Sequence, residues 1–87
     1  MIVACDGAAR GNPGPAGFGV HITDGDGTTL AEIAEGIGVA TNNVAEYRAA
    51  IAGLARAREL GATRILLRSD SKLLIEQLAG QIGRAHV

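Results

Sequence analysis

Hydrophobic and polar residues follow strand-like patterns through the first forty positions of the chain. Residues 2–5 form a short apolar run that ends at Asp6-Gly7, which predicts a buried strand with a carboxylate at its end. Residues 17–23 alternate large apolar side chains with glycine and histidine, a pattern typical of a half-buried strand. Residues 28–39 continue in extended structure, but their glutamates and glycines favour an exposed or edge strand.

Turn-forming residues separate these strands. Residues 8–16 contain the sequence GNPGP, a cluster of helix and strand breakers that predicts a loop. The sequence DGDG at residues 24–27 predicts a tight hairpin turn, because it lacks the further ligands and closing glutamate of a calcium-binding loop. His21 has no second His or Cys at metal-ligand spacing, so we expect it on the solvent side of its strand.

A helical pattern spans residues 43–60 and ends at Gly61. Glu46 begins a file of small side chains on one helix face, which predicts that this helix lies close to a sheet. The other members of the file are Ala50, Gly53 and Ala57. We expect a second stripe to pack into the core, and it consists of Tyr47, Ile51 and Leu54.

The last part of the chain predicts another strand and another helix. Residues 63–68 contain the continuous apolar run Ile65-Leu66-Leu67, which is typical of a strand that is covered on both faces. Because a helix precedes this strand, we expect it to pair in parallel with the first strand. Residues 72–79 return to helical spacing. Asp70 lies between this strand and this helix.

Composition and charge limit the class of protein. The 87 residues make one domain at most, and a chain of this length has a thin core. A net charge of -1 gives little general attraction for nucleic acid. Binding of a polyanion would therefore depend on local contacts or on bound metal. Cys5 is the only cysteine, which excludes an internal disulfide. The sequence shows neither a signal peptide nor an apolar run of about 20 residues, so we expect a cytoplasmic protein that does not enter a membrane.

Three carboxylates occupy positions in the predicted fold that could bring them close together. Asp6 and Asp70 follow two strands that are expected to be parallel neighbours, and Glu46 lies near the start of the helix. Like charges this close repel one another unless a cation shares them, and oxygen ligands without His or Cys favour magnesium or manganese. Such a cluster suits metal-assisted hydrolysis of a phosphodiester. Each carboxylate also has a structural alternative: Asp6 as a turn former, Asp70 as a helix cap, and Glu46 in a capping box with Asn43.

Three motifs, in order and at matching spacing, resemble those of the type 1 ribonuclease H family. They are DGAARGNPGPAGFG at residues 6–19, TNNVAEYRAAIAGL at residues 41–54 and RSDSKLLIEQL at residues 68–78. The resemblance implies an α/β fold in which a mixed sheet is built from three antiparallel strands, a helix, a parallel strand and a helix. It also implies magnesium-dependent cleavage of the RNA strand of RNA–DNA hybrids, with manganese as an alternative ion.

The resemblance assigns roles to seven residues. It implies that the metal-binding catalytic acids are Asp6, Glu46 and Asp70. It implies that Gly7, Asn12 and Asn43 contact the RNA strand, and that Ser71 lies beside the substrate groove. Hydrogen bonds to 2′-hydroxyl groups would distinguish RNA from DNA there.

The family continues with a fifth strand, a loop bearing a histidine, a fourth catalytic aspartate and a last helix, none of which the sequence matches after Gly80. We therefore expect residues 1–80 to be a partial ribonuclease H-like domain with impaired activity. The ending QIGRAHV matches the translation of a sequencing adapter, so we expect residues 81–87 to be a non-family tail from sequencing or cloning. Strand four would then be an unprotected edge, open to self-association.

Two other functions are compatible with the same motifs. One is a non-catalytic nucleic-acid-binding domain of the same fold, although such a domain normally relies on clustered lysine and arginine. The other is a related DNA nuclease of the resolvase or transposase kind. Metal dependence of binding separates the first from a ribonuclease, and a comparison of hybrid with duplex DNA separates the second.

Overall fold

The chain forms a mixed α/β sheet with one helix across it. A computed structural model describes residues 1–69, and the elements within them are β1 (Ile2–Ala9), β2 (Gly14–Thr23), β3 (Thr29–Ala40), α1 (Asn42–Glu59) and β4 (Leu66–Arg68). The strand order is β3-β2-β1-β4. β1, β2 and β3 pair antiparallel, and β4 pairs with β1 in parallel, as the sequence predicts. The predicted helix at residues 72–79 lies outside the described residues.

The core lies between one face of the sheet and α1. Val3 pairs with Ile22 and Cys5 pairs with Val20 across β1 and β2, and all four side chains are buried. The buried helix residues that cover them are small: Ala45, Ala49, Ala50, Gly53 and Ala57. The helix therefore packs through its backbone and its methyl groups, directly on the branched side chains of the strands.

Gly53 shows how close this contact is. A Cβ atom at position 53 would lie 2.5 Å from Cγ1 of Val3 and 3.0 Å from Cγ1 of Val20. The predicted file of small residues is confirmed for Ala50, Gly53 and Ala57, which are all buried, whereas Glu46 is half-buried beside them. A side chain larger than hydrogen at position 53 would force the helix away from the sheet.

The predicted second stripe of α1 is correct only in part. Tyr47 and Leu54 pack against the core, but the side chain of Ile51 is 46% exposed. At 3.6 residues per turn, Ile51 lies about 200° around the helix axis from the buried Ala49. The close packing on small residues buries a narrow strip of the helix, and this strip excludes Ile51.

β1 is longer than its apolar run. The prediction that the strand ends at Asp6 is wrong, because Asp6 pairs with Gly19 and the pairing continues to Ala9 and Ala16. The loop begins only at Arg10, whose N–H donates to the carbonyl of Pro15 at 2.8 Å. Small residues on both strands let the ladder continue past the carboxylate, whose side chain is exposed.

β4 is less buried than predicted. Leu66 is 54% exposed and Leu67 is half-buried, so the expected cover on both faces is wrong for this strand. β4 is the outer strand of the sheet within residues 1–69, and successive side chains point to opposite faces, only one of which carries α1. The expected self-association through the edge of this strand stays a prediction.

The β2–β3 hairpin closes as the sequence predicts. One carboxylate oxygen of Asp24 accepts hydrogen bonds from the N–H groups of Asp26, at 2.8 Å, and Thr28, at 3.0 Å. His21 is exposed on β2, where its Nε2 lies 2.9 Å from Oγ1 of Thr29. Among residues 1–69, no helix is both long and apolar enough to cross a membrane.

Candidate active site

Asp6 projects from the face of β1 that is opposite to α1. Its neighbours Cys5 and Gly7 are buried towards the helix, whereas Asp6 is exposed. Together with His21 and Glu32 of the neighbouring strands, it lines an open concavity of about 680 Å³. Asp6 therefore presents its carboxylate to solvent from the middle of a paired strand, which excludes the alternative that it forms a turn.

Gly7 brings this part of β1 against the helix. A Cβ atom at position 7 would collide with the backbone of Ala45 and lie 2.5 Å from the backbone nitrogen of Glu46. Only glycine permits such an approach of strand and helix backbones. The residue next to Asp6 is thus in direct contact with the backbone of Glu46, whereas the Asp6 side chain itself leaves β1 on the opposite face.

The helix start removes the structural alternative for Glu46. Thr41 is the N-cap, and its Oγ1 accepts a hydrogen bond from the N–H of Val44 at 3.2 Å. A capping box places its acid three residues after the cap, and that position is occupied by Val44. The capping-box interpretation with Asn43 and Glu46 is therefore wrong, because the helix begins one residue earlier than predicted and Glu46 lies in its second turn.

Replacing Thr41 with alanine should destabilise the chain by about 1 kcal/mol, because the N–H of Val44 loses its acceptor. For a domain of this size, that loss corresponds to a fall in Tm of about 4–8 °C, measurable by circular dichroism. Thr41→Ser keeps the hydroxyl acceptor and should melt close to the parent. An equal loss of stability in both variants would show that the methyl group of Thr41, rather than its hydroxyl, supports the helix.

Two asparagines connect the loop, β1 and the helix. The N–H of Ala9 donates to Oδ1 of Asn42 at 2.7 Å, and the N–H of Asn42 donates to Oδ1 of Asn12 at 3.0 Å. Sequence reasoning missed Asn42. Asparagine is a poor helix former, so two of them at a helix start favour side-chain hydrogen bonds to backbone groups there, and this is the signal that could have pointed to Asn42.

The residues expected to contact RNA differ in their environment. Asn43 is exposed and its side chain has no hydrogen-bond partner within residues 1–69. Asn12 is exposed, with its amide oxygen already accepting from Asn42 and its NH₂ group available. Gly7 is buried under α1. Asp70 and Ser71 lie outside the described residues.

Asp6 and Glu46 have no ion-pair partner in the described part of the chain. The ion pairs found there join His21 to Glu32 and Arg56 to Glu59. No cluster of three or more His, Cys, Asp or Glu side chains suited to a metal occurs within residues 1–69. Asp6 and Glu46 therefore offer hard oxygen donors of the kind that suit magnesium or manganese, and a complete metal site needs further ligands.

Comparison with known proteins agrees with the motifs and the topology. A family model described as reverse transcriptase-like matches residues 4–86. A ribonuclease HI from Halobacterium salinarum is 53% identical over 75 residues, which are 86% of this chain and 38% of that protein. The chain spans 22% to 38% of the length of the curated relatives that match it first.

Two solved structures share the fold. The N-terminal RNase H domain of Rv2228c from Mycobacterium tuberculosis is 53% identical, with a TM-score of 0.84 over 92% of this chain and 63% of that chain. LC11-RNase H1 in complex with an RNA/DNA hybrid is 47% identical, with a TM-score of 0.83 over 91% of this chain and 60% of that chain. The chain belongs to the type 1 ribonuclease H family.

Proposed function

We propose that this domain is a metal-dependent endonuclease that cleaves the RNA strand of RNA–DNA hybrids. The observation that carries the proposal is the contact at Gly7, which joins β1 beside Asp6 to α1 at Glu46. Neither carboxylate caps a helix, forms a turn or pairs with a cation within residues 1–69. Both acids lack a structural role, and they are carried by a strand and a helix whose backbones meet at Gly7, which makes them candidates for the chemistry of the site.

Asp70 is the third acid of the proposed site. The parallel register of β1 and β4 pairs Ala4 with Arg68, and Sγ of Cys5 donates to the carbonyl of Arg68 at 3.4 Å. Asp6 follows Ala4 by two positions, and Asp70 follows Arg68 by two positions. If the register continued by two residues, Asp70 would lie beside Asp6. The proposed role of Asp70 rests on this continuation.

A divalent metal suits the donors that the chain offers. Magnesium prefers carboxylate oxygens, and manganese accepts the same ligands. Asp6, Glu46 and Asp70 would hold the metal, which when bound activates the attacking water and stabilises the leaving oxygen. Of these acids, Asp6 lines the exposed concavity on the outer face of β1, so a metal held by Asp6 would be open to solvent from that side.

Substrate contacts are proposed for the loop and the helix start. Asn43 offers a complete amide group and Asn12 offers an NH₂ group, both exposed. Amides of this kind can accept from and donate to a 2′-hydroxyl group, which DNA lacks. The LC11-RNase H1 neighbour binds an RNA/DNA hybrid, which supports the same substrate for this fold. With a net charge of -1, the chain has little long-range attraction for the phosphates, so local contacts and metal must supply the affinity.

The test compares two labelled duplexes of identical sequence, one an RNA–DNA hybrid and one DNA. We expect binding by fluorescence anisotropy, and cleavage on a denaturing gel, for the hybrid alone and only with magnesium or manganese present. Binding that persists in EDTA and weakens steeply with salt would identify a non-catalytic binding domain instead. Metal-dependent cutting of the DNA duplex would identify a DNA nuclease of the related kind.

A further inference from the structure

Asn42 joins two elements that the proposed site needs in a fixed relation. Its side chain accepts from the N–H of Ala9 at 2.7 Å, at the end of β1 and three residues beyond Asp6. Its own N–H donates to the side chain of Asn12 at 3.0 Å. The first residue of α1 is therefore tied both to the strand that carries Asp6 and to the loop that follows this strand.

The position of Asn42 on the helix also relates its hydrogen bonds to the position of Glu46. Asn42 and Glu46 are four residues apart, so they lie on the same face of α1, one turn from each other. The contact of Gly7 with Ala45 and Glu46 sets how close the helix comes to β1. The buried contacts of α1 are made by small side chains and set its distance from the sheet, whereas hydrogen bonds from the first helical residue to β1 and the loop also oppose rotation about the helix axis. An anchor at Asn42 restrains that rotation.

We propose that Asn42 is a positioning residue that orients Glu46 towards β1 and the metal. Asn42 acts through the helix: its amide oxygen is committed to Ala9 and its backbone N–H to Asn12. The inference rests on the proposed metal-binding function of Glu46. Thr41 serves as the contrast, because it satisfies the N–H of Val44 within the helix and makes no hydrogen bond to β1 among the described residues.

The first readout is magnesium affinity, measured by isothermal titration calorimetry on the 87-residue chain. Asn42→Ala should weaken the affinity by about 10-fold, the lower end of the 10–100-fold loss that follows removal of a residue orienting a metal ligand. Thr41→Ala removes one hydrogen bond from the same helix start and should leave the affinity unchanged. A merely structural role for Asn42 would give both variants the same affinity, and that result would overturn the inference.

The second readout needs no metal. In nuclear Overhauser spectra of the metal-free chain, cross-peaks between the Hα protons of Gly7 and the amide protons of Ala45 and Glu46 report the helix position. We expect altered cross-peaks in Asn42→Ala and parental ones in both Thr41→Ala and Asn42→Asp, since aspartate keeps the acceptor for Ala9. If the parent binds no magnesium, the proposed function fails and these spectra still decide the inference: unchanged cross-peaks in Asn42→Ala would overturn it.

Discussion

Asp6→Asn is expected to weaken magnesium binding by about 100-fold or more while leaving the chain folded. Loss of a residue that only orients a metal ligand lowers metal affinity by about 10–100-fold. Asp6→Asn removes the negative charge of a proposed ligand itself, so the affinity should fall by at least the upper end of that range. Folding should be unaffected, because Asp6 is exposed and has no ion-pair partner within residues 1–69. Isothermal titration gives the affinity, and circular dichroism gives the melting temperature. Any hybrid cleavage by the parent should fall with the affinity.

Asp26→Asn is the matched control for Asp6→Asn. Asp26 is an exposed aspartate in the β2–β3 hairpin, and the hydrogen bond there uses its backbone N–H rather than its carboxylate. The same loss of one negative charge should leave magnesium affinity at the parental value. Equal affinity in the parent and Asp6→Asn would remove Asp6 from the metal site. Equal losses in both variants would mean that magnesium responds to the overall charge of the chain.

Gly7→Ala is expected to cost about 3 kcal/mol or more in the free energy of unfolding. Overpacking of a core costs about 1–3 kcal/mol when side chains can shift, but here the added methyl group meets the backbone of Ala45 and Glu46. A domain of this length has a total stability on the order of 4–13 kcal/mol, so the variant should lose a large part of it and unfold at a much lower urea concentration than the parent. Urea unfolding followed by circular dichroism measures the loss.

Gly36→Ala is the matched control for Gly7→Ala. Gly36 lies in β3, and a Cβ atom there would meet nothing within 4 Å. Because its φ is not positive, alanine should be tolerated and can even stabilise the chain by up to about 1 kcal/mol through the unfolded state. If Gly7→Ala unfolds at the same urea concentration as Gly36→Ala, the close approach of β1 and α1 does not exist in solution.

The element order could be predicted from the sequence because each element has a strong local signal. The alternation around Phe18, the Asp-Gly turn and the long helical pattern each specify an element without knowledge of its neighbours. The antiparallel and parallel pairings followed from the connection lengths. These features agree with the observed sheet.

The predictions that were wrong concern features that are set by tertiary contacts. The end of β1 depends on the partner residues that β2 supplies, and an apolar run cannot show these. The helix cap was misplaced by two residues because Thr41 and Asn43 are both good caps, and the choice depends on the hydrogen bonds that Asn42 makes to other elements. The exposure of Ile51 depends on the narrow contact strip of α1. Within the candidate site, the carboxylates could be identified from the sequence, whereas the partners of Asn42, which lie in β1 and in the loop after it, could not.

The parallel pairing of β1 with β4 also has a consequence for how the chain folds. Sixty-three residues separate Cys5 from Arg68, which are joined by a hydrogen bond, whereas β1, β2 and β3 are connected by short turns. During synthesis the three-stranded meander and then α1 can form before Arg68 leaves the ribosome, because their contacts are local. Until β4 arrives, one edge of the central strand β1 stays unpaired, next to the carboxylate at position 6. β1, the strand that carries Asp6, is therefore the last strand of the meander to obtain both of its neighbours.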